Sequence, residues 1–277
     1  MPSNSLEIKP VSGAVGAEIL GIDLSAPLAD DTLAAIRGTL AERGVVFFRE
    51  QTLTPPQHIA LARRFGDVNV NRFFAHHPEH PEIAMVTKEP GQQRNIGGGW
   101  HTDHSYDVEP AMGSMLYARE VPPTGGDTLF ASMYAAYDAL SDGLKQTLEG
   151  LRAVHSSRHV FGQERGDLKG RIGNTHLATQ DADHPVVITH PESGRKALYV
   201  NPGFTLRFAG WTDEESRPLL DFLYRHGQRP EFSCRFQWRK GSMAFWDNRA
   251  TWHLAVNDYH GQRREMHRIT VEGCALG

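Results

Sequence analysis

His101 and Asp103 stand two apart, and His253 lies far downstream of them. On an extended strand, side chains alternate between faces, so a His and an Asp at i and i+2 project together. A third ligand arriving from elsewhere completes a set of two imidazoles and one carboxylate on one side of an ion. That donor set is the facial arrangement of non-haem iron(II) centres, which leaves the opposite positions open. Zinc accepts the same donors, with water in its open position. An isolated His-x-Asp occurs often by chance, so the distal sequence must support it. The stretch Trp246-Asp247-Asn248-Arg249 leads to His253, and Arg264 and Arg268 follow four apart. An even separation keeps two strand residues on one face. A guanidinium fork suits a carboxylate, and two inward arginines repel unless each meets an anion.

The elements that must position these groups read mostly as short strands. Leu6 to Leu24 alternates and is broken by Gly13, Gly16 and Gly21, which predicts two strands. Asp30-Asp31 offers a cap for a helix with Leu33, Ile36 and Leu40 on its apolar face, closed by Gly44. Val45 to Phe48 is an apolar run of strand length, and Thr54-Pro55-Pro56 opens a second helix that ends at Gly66. Loops around one strand near Ile83–Val86 precede Gly97-Gly98-Gly99, which connects to a strand at Trp100 and allows close backbone approach to a ligand.

Strands are predicted at Met115–Ala118, Asp127–Phe130 and Leu151–His155, with one helix from Ser132 to Leu148. Arg158 to Asp183 is polar, Gly-rich and aperiodic, as expected of a lid. A hairpin covers Pro185 to Val200, turning at His190–Gly194. Thr212 and Glu215 have capping-box spacing for a helix carrying Leu219, Leu220 and Leu223. Strands at Phe232–Trp238, Ser242–Trp246 and Arg264–Val271 complete the chain. The pattern lacks the strand–helix alternation of a parallel sheet. It predicts a β-rich α+β protein, a jelly roll with flanking helices, as one domain over residues 1–277 with a lid at 158–183.

Composition narrows the functional classes. With 39% hydrophobic and 22% charged residues, the 277-residue chain is expected to be globular. A net charge of −4 without a like-charged run gives nucleic-acid or membrane-surface binding no electrostatic support. No apolar run approaches the roughly 20 residues a membrane helix needs. The start MPSNSLEIKP lacks secretory-signal character, and Cys234 and Cys274 are too few for a disulfide framework. These features predict a cytoplasmic protein.

Trp100-His101-Thr102-Asp103, Gly125-Gly126-Asp127-Thr128, Trp246 through His253, and Gln262-Arg263-Arg264 through Arg268 occur in that order. Together they resemble the taurine dioxygenase (TauD/TfdA) family of Fe(II)- and 2-oxoglutarate-dependent dioxygenases, from about Leu6 to about Gly273. The resemblance implies a double-stranded β-helix with iron near one mouth, and a homodimer or homotetramer. It implies His101, Asp103 and His253 as iron ligands, and Thr128 and Arg264 as holders of the distal carboxylate of 2-oxoglutarate. Arg268 matches the position that binds a substrate's anionic group, and Phe161 and Phe204 match pocket phenylalanines. Asn71, Phe74 and Gly97 replace a His, a Tyr and an Asn of taurine enzymes, and Tyr106 is a further pocket residue.

The implied reaction is hydroxylation of a small anionic substrate by O2, with release of succinate and CO2. A sulfonate, a sulfate ester or an aryloxyalkanoate is expected to fit better than taurine. Asp103 occupies the position that halogenating relatives leave free for halide. The rival readings are a zinc-dependent hydrolase on the same ligands and a non-catalytic jelly-roll binding protein. The hydrolase has no use for Thr128 and Arg264.

Overall fold

The apolar tetrad Val45–Phe48 forms a strand buried along its whole length, because it lies inside a sheet covered on both faces. The structure, a computed structural model, describes residues 6–163 and 166–277. Residues 1–5, 164 and 165, which fall within the expected domain and lid, lie outside the described residues.

Among the described residues, the largest sheet runs Glu7–Pro10, Ala17–Leu20, Val45–Phe48, Met243–Asp247, Gly113–Glu120, Arg264–Val271, His80–Lys88, His76–His77. Val68–Asn69 pairs beside Arg264–Val271. A smaller antiparallel sheet places Thr128–Ser132 between Ser233–Phe236 and Thr251–Ala255. The two sheets close over one apolar layer. Val45, Phe47, Leu116, Ala244, Trp246 and Met266 come from the large sheet, and Phe130 and Phe236 from the small one. The Phe47 and Phe236 rings stack at 4.1 Å.

Strand alternation sends Val46, Phe48, Met115, Phe245 and Ile269 to the other face. There they pack against helices Asp30–Arg43 and Pro55–Arg63. Helix Asp213–Gly227 and the hairpin Val187–Thr189/Lys196–Leu198 belong to a third cluster around Trp252. The architecture is the expected double-stranded β-helix with helices outside.

Local signals predicted several boundaries well. Thr54–Gln57 and Thr212–Glu215 both form reciprocal capping boxes, and the final strand spans Arg264–Val271 as expected. Four expectations are corrected. Asp30 and Asp31 lie in the first helical turn, where acidic groups favour the macrodipole, and Ala29 is the N-cap. Ser132–Leu148 is two helices, Met133–Asp138 and Asp142–Leu148, because Ser141 starts a second cap by accepting from Leu144 N.

Strands Ala17–Leu20 and Val45–Phe48 pair in parallel across the Asp30–Arg43 helix, so one strand–helix–strand unit is present after all. The 158–183 segment, expected to be aperiodic, contains helix Arg158–Phe161 and strand Asp181–Pro185, which pairs with Arg152–Ser156. Its polar alternation, alongside a partner that supplies the burial, hid that strand.

Candidate active site

The first histidine of the motif is not part of a regular strand. His101 forms an isolated bridge with His253, and a turn follows through Tyr106. The bridge is reciprocal: His101 N donates to His253 O at 3.1 Å, and His253 N donates to His101 O at 2.8 Å. Strand Thr251–Ala255 thus carries one imidazole and the bridged residue the other, with ring centroids 4.1 Å apart. The turn swings Asp103 between them. Its Oδ1 lies 3.8 Å from His101 Nε2 and its Oδ2 3.9 Å from His253 Nε2.

Among the described residues, these three form the one group of His, Cys, Asp or Glu whose ligand atoms all lie within 4.8 Å of one another. His101 Nδ1 faces Gly99 O at 2.8 Å, so a proton held there leaves Nε2 with its lone pair toward the centre. Burial, then His101, holds the His253 pKa well below the usual imidazole value, so the ring is neutral and ready to ligate. Burial alone would raise the Asp103 pKa. Arg268, His253, His101 and His104 outweigh it and hold the carboxyl well below its usual range. Ser114 Oγ and Arg268 Nη1 each donate to Asp103 at 3.1 Å and fix its plane. Two imidazoles and an ionised carboxylate fit a divalent transition metal.

The downstream motif explains how the two stretches are joined. Asp247 and Arg249 form a buried ion pair, with Arg249 Nε to Asp247 Oδ1 at 2.9 Å, and His190 and Glu192 complete the network. This network shapes the turn between Met243–Asp247 and Thr251–Ala255. Thr102 Oγ1 then donates to Asn248 O at 2.6 Å, tying the residue between His101 and Asp103 to that turn. A Thr102→Val variant leaves the buried Asn248 carbonyl without this donor. It should lose about 1–3 kcal/mol of stability in chemical denaturation, and an unchanged midpoint would show that the tether is not needed.

Two glycines fit His101 from either side. A Cβ on Gly203 would lie 2.7 Å from His101 Cβ. Gly97, at φ +78°, would bring one to 3.2 Å from the ring. Gly97 was expected from sequence; Gly203 carried no signal beyond being a glycine.

The triad sits in a cavity of about 550 Å³. Thr128, Arg264, Arg268, Phe74, Gly97, Tyr106, Phe161 and Phe204 all line it. Asn71 does not. Its Oδ1 accepts from Phe73 N and Phe74 N at 2.9 and 3.1 Å, and its Nδ2 faces His104, so the side chain is spent on the local turn. Phe74, Tyr106, Phe161 and Phe204 form one apolar cluster with Phe73, which stacks on Phe161 at 4.2 Å.

Arg268 lies 4.6 Å over the Phe74 ring, and its buried Nε has no partner among the described residues. Arg264 is 4% exposed, and its buried Nε and Nη2 likewise lack partners. Burial pushes the Arg264 pKa down from its usual value. Trp238 Nε1 donates to Thr128 Oγ1 at 2.9 Å, which leaves the Thr128 hydroxyl proton free to point elsewhere. Sequence reasoning missed the cavity residues Val86, Asn95, Ile96, Leu116 and Asn257. Leu116 was accessible from strand alternation; Asn257 lies in a connection with no periodic signal.

A double-stranded β-helix that gathers two imidazoles and a carboxylate beside a buried, unpaired arginine has the makings of a 2-oxo-acid-dependent oxygenase. The family model for taurine catabolism dioxygenases (TauD, TfdA family) matches residues 7–270, and the chain belongs to that family. It is an alpha-ketoglutarate-dependent dioxygenase, as relatives of this similarity are. It is 35% identical to an alkylsulfatase of Acinetobacter baylyi, over 98% of this chain and 86% of that one. An alpha-ketoglutarate-dependent sulfate ester dioxygenase of Pseudomonas putida is 34% identical over 97% of this chain and 90% of its own. The crystal structure of a taurine dioxygenase from Burkholderia xenovorans superimposes with a TM-score of 0.83 at 38% identity, covering 98% of this chain and 92% of that one.

Proposed function

We propose that the protein hydroxylates a small anionic organic substrate, foremost a sulfate ester, using Fe(II), O2 and 2-oxoglutarate, and releases succinate and CO2. One observation carries the reading. Two buried arginines, Arg264 and Arg268, keep unpartnered donors in an otherwise largely apolar cavity that also holds the triad. A buried guanidinium donor without an acceptor is costly; Arg264 pairs with no carboxylate among the described residues, Arg268 shares Asp103 with Ser114, and the reaction would supply a further anion to each.

Iron held by His101, Asp103 and His253 supplies activation of O2 coupled to oxidation of the keto acid. The chain's own residues bind and orient. Arg264 and Thr128 take the distal carboxylate of 2-oxoglutarate, and Arg268 takes the anionic head of the substrate. Phe74, Tyr106, Phe161 and Phe204 hold the substrate body and keep water away from it. Val160, Phe161, Leu168 and Ile172 line the wall beside the aromatic residues, and their segment serves as a lid. Hydroxylation at the carbon bearing the ester oxygen gives a hemiacetal-type product, which collapses to an aldehyde and free sulfate. Sulfonates and aryloxyalkanoates share the anion-plus-apolar-body chemistry.

The test is a panel of alkyl sulfates, sulfonates, aryloxyacids and taurine, scored by succinate release and oxygen uptake. Each methylene that enters the cavity should raise kcat/KM about fourfold until the space is filled, since its burial contributes roughly 0.8 kcal/mol. Taurine should rank low, because its ammonium group would be desolvated against aromatic walls. Taurine emerging as the best substrate would overturn the pocket reading, and sulfate release without oxygen consumption would reveal hydrolysis instead.

A further inference from the structure

Lys88 ends the strand His80–Lys88 directly opposite Arg264. Opposed residues on antiparallel strands project from the same face, their Cβ atoms about 5 Å apart. Arg264 lines the cavity, and Lys88, which does not line it, leaves the sheet on the same face. It is 2% exposed. Its Nζ donates to Asn257 Oδ1 at 2.7 Å and lies 4.2 Å from the centroid of the Tyr259 ring. Asn257 lines the cavity, and its Nδ2 donates to Gln93 O at 2.9 Å, so the carboxamide is held from both ends.

The charge arrangement is unusual for a protein interior. Among the described residues, no carboxylate forms an ion pair with Lys88 or Arg264. Asp127, near Arg264, is already engaged by Arg235 at 2.6 Å. Burial, and then Arg171, lower the Lys88 pKa. Buried charges are ordinarily paired, and among the described residues Lys88 and Arg264 have no carboxylate of their own.

We propose that Lys88 is a positioning residue for the far end of the co-substrate. It fixes Asn257 and places a second buried positive charge behind Arg264, so that this end of the cavity selects a keto acid carrying a distal carboxylate. The proposal rests on the reading that Arg264 receives that carboxylate. A merely structural role for Lys88, bracing Asn257, would affect every keto acid alike; an electrostatic role would not.

The experiment is an anaerobic titration of the Fe(II)-loaded protein, following the visible absorption of the metal–keto acid chelate. Two ligands are compared: 2-oxoglutarate, and 2-oxopentanoate, which ends in a methyl group. Lys88→Gln keeps a hydrogen-bond donor for Asn257 but removes the charge. It should weaken 2-oxoglutarate on the order of tenfold, as expected for a nearby charge at intermediate dielectric, and leave 2-oxopentanoate unchanged. Lys88→Arg should restore the wild-type preference. A ratio of the two affinities in Lys88→Gln equal to wild type overturns the proposal, whether both ligands weaken together or neither does. Arg264→Ala is the control: if it leaves the ratio unchanged, the placement of the distal carboxylate fails instead.

Discussion

An Asp103→Ala variant is expected to lose iron(II) binding at ordinary concentrations and, with it, all substrate-dependent succinate formation. Asp103 is the one anionic donor of the three, and it stands between two imidazoles. Removing it leaves two histidines held 4.1 Å apart by a backbone bridge, a pair with little affinity of its own. The loss reaches further than the metal. Ser114 and Arg268 both lose their acceptor, and Arg268, 6% exposed, is left as a buried cation with nothing to meet. Metal content after gel filtration, together with oxygen uptake, checks this. Normal succinate formation in Asp103→Ala would show that the triad is not the metal centre.

Arg264→Ala carries the second large effect. The expected outcome is a 2-oxoglutarate affinity weakened by about 30- to 1,000-fold, because a charge-assisted, two-point contact contributes on the order of 2–4 kcal/mol. Iron binding should survive, since none of the three ligands touches Arg264. The variant should also fold well, because it removes a buried guanidinium whose Nε and Nη2 have no partner among the described residues. Anaerobic titration of the chelate separates these effects. An affinity equal to wild type would place the distal carboxylate elsewhere.

The sequence was most legible where local chemistry decides the outcome. Thr54 and Thr212 form the caps their spacing predicts, and the strand Arg264–Val271 presents Arg264 and Arg268 on one face because the separation is even. It was least legible where distant residues decide. The His101–Asp103 pair shares one side of the centre, but through a bridge and a turn, with His104 at φ 60°. Nothing near residue 101 encodes a partner at residue 253. Asn71 looked like a pocket residue by position, yet its side chain caps a turn, a use open to any buried asparagine beside free backbone N–H groups. Lys88 and Asn257 carry no sequence signal, since a lysine in a polar stretch is usually solvated; the burial of Lys88 and its bond to Asn257 emerge only from packing of distant segments.

The position of strand Arg264–Val271 has a consequence for the newly made chain. Although it is the latest of the described strands in sequence, it lies inside the large sheet, flanked by Gly113–Glu120 and His80–Lys88. Its neighbours are complete more than a hundred residues before it is synthesised, and until it arrives both present unpaired edges. Such long-range insertion is slow compared with local contacts. A ribosome-bound chain that stops short of it has neither Arg264 nor Arg268, and the neighbouring His253 has just been added. The triad of His101, Asp103 and His253, the arginines Arg264 and Arg268 and the closed sheet are thus brought together only late in synthesis.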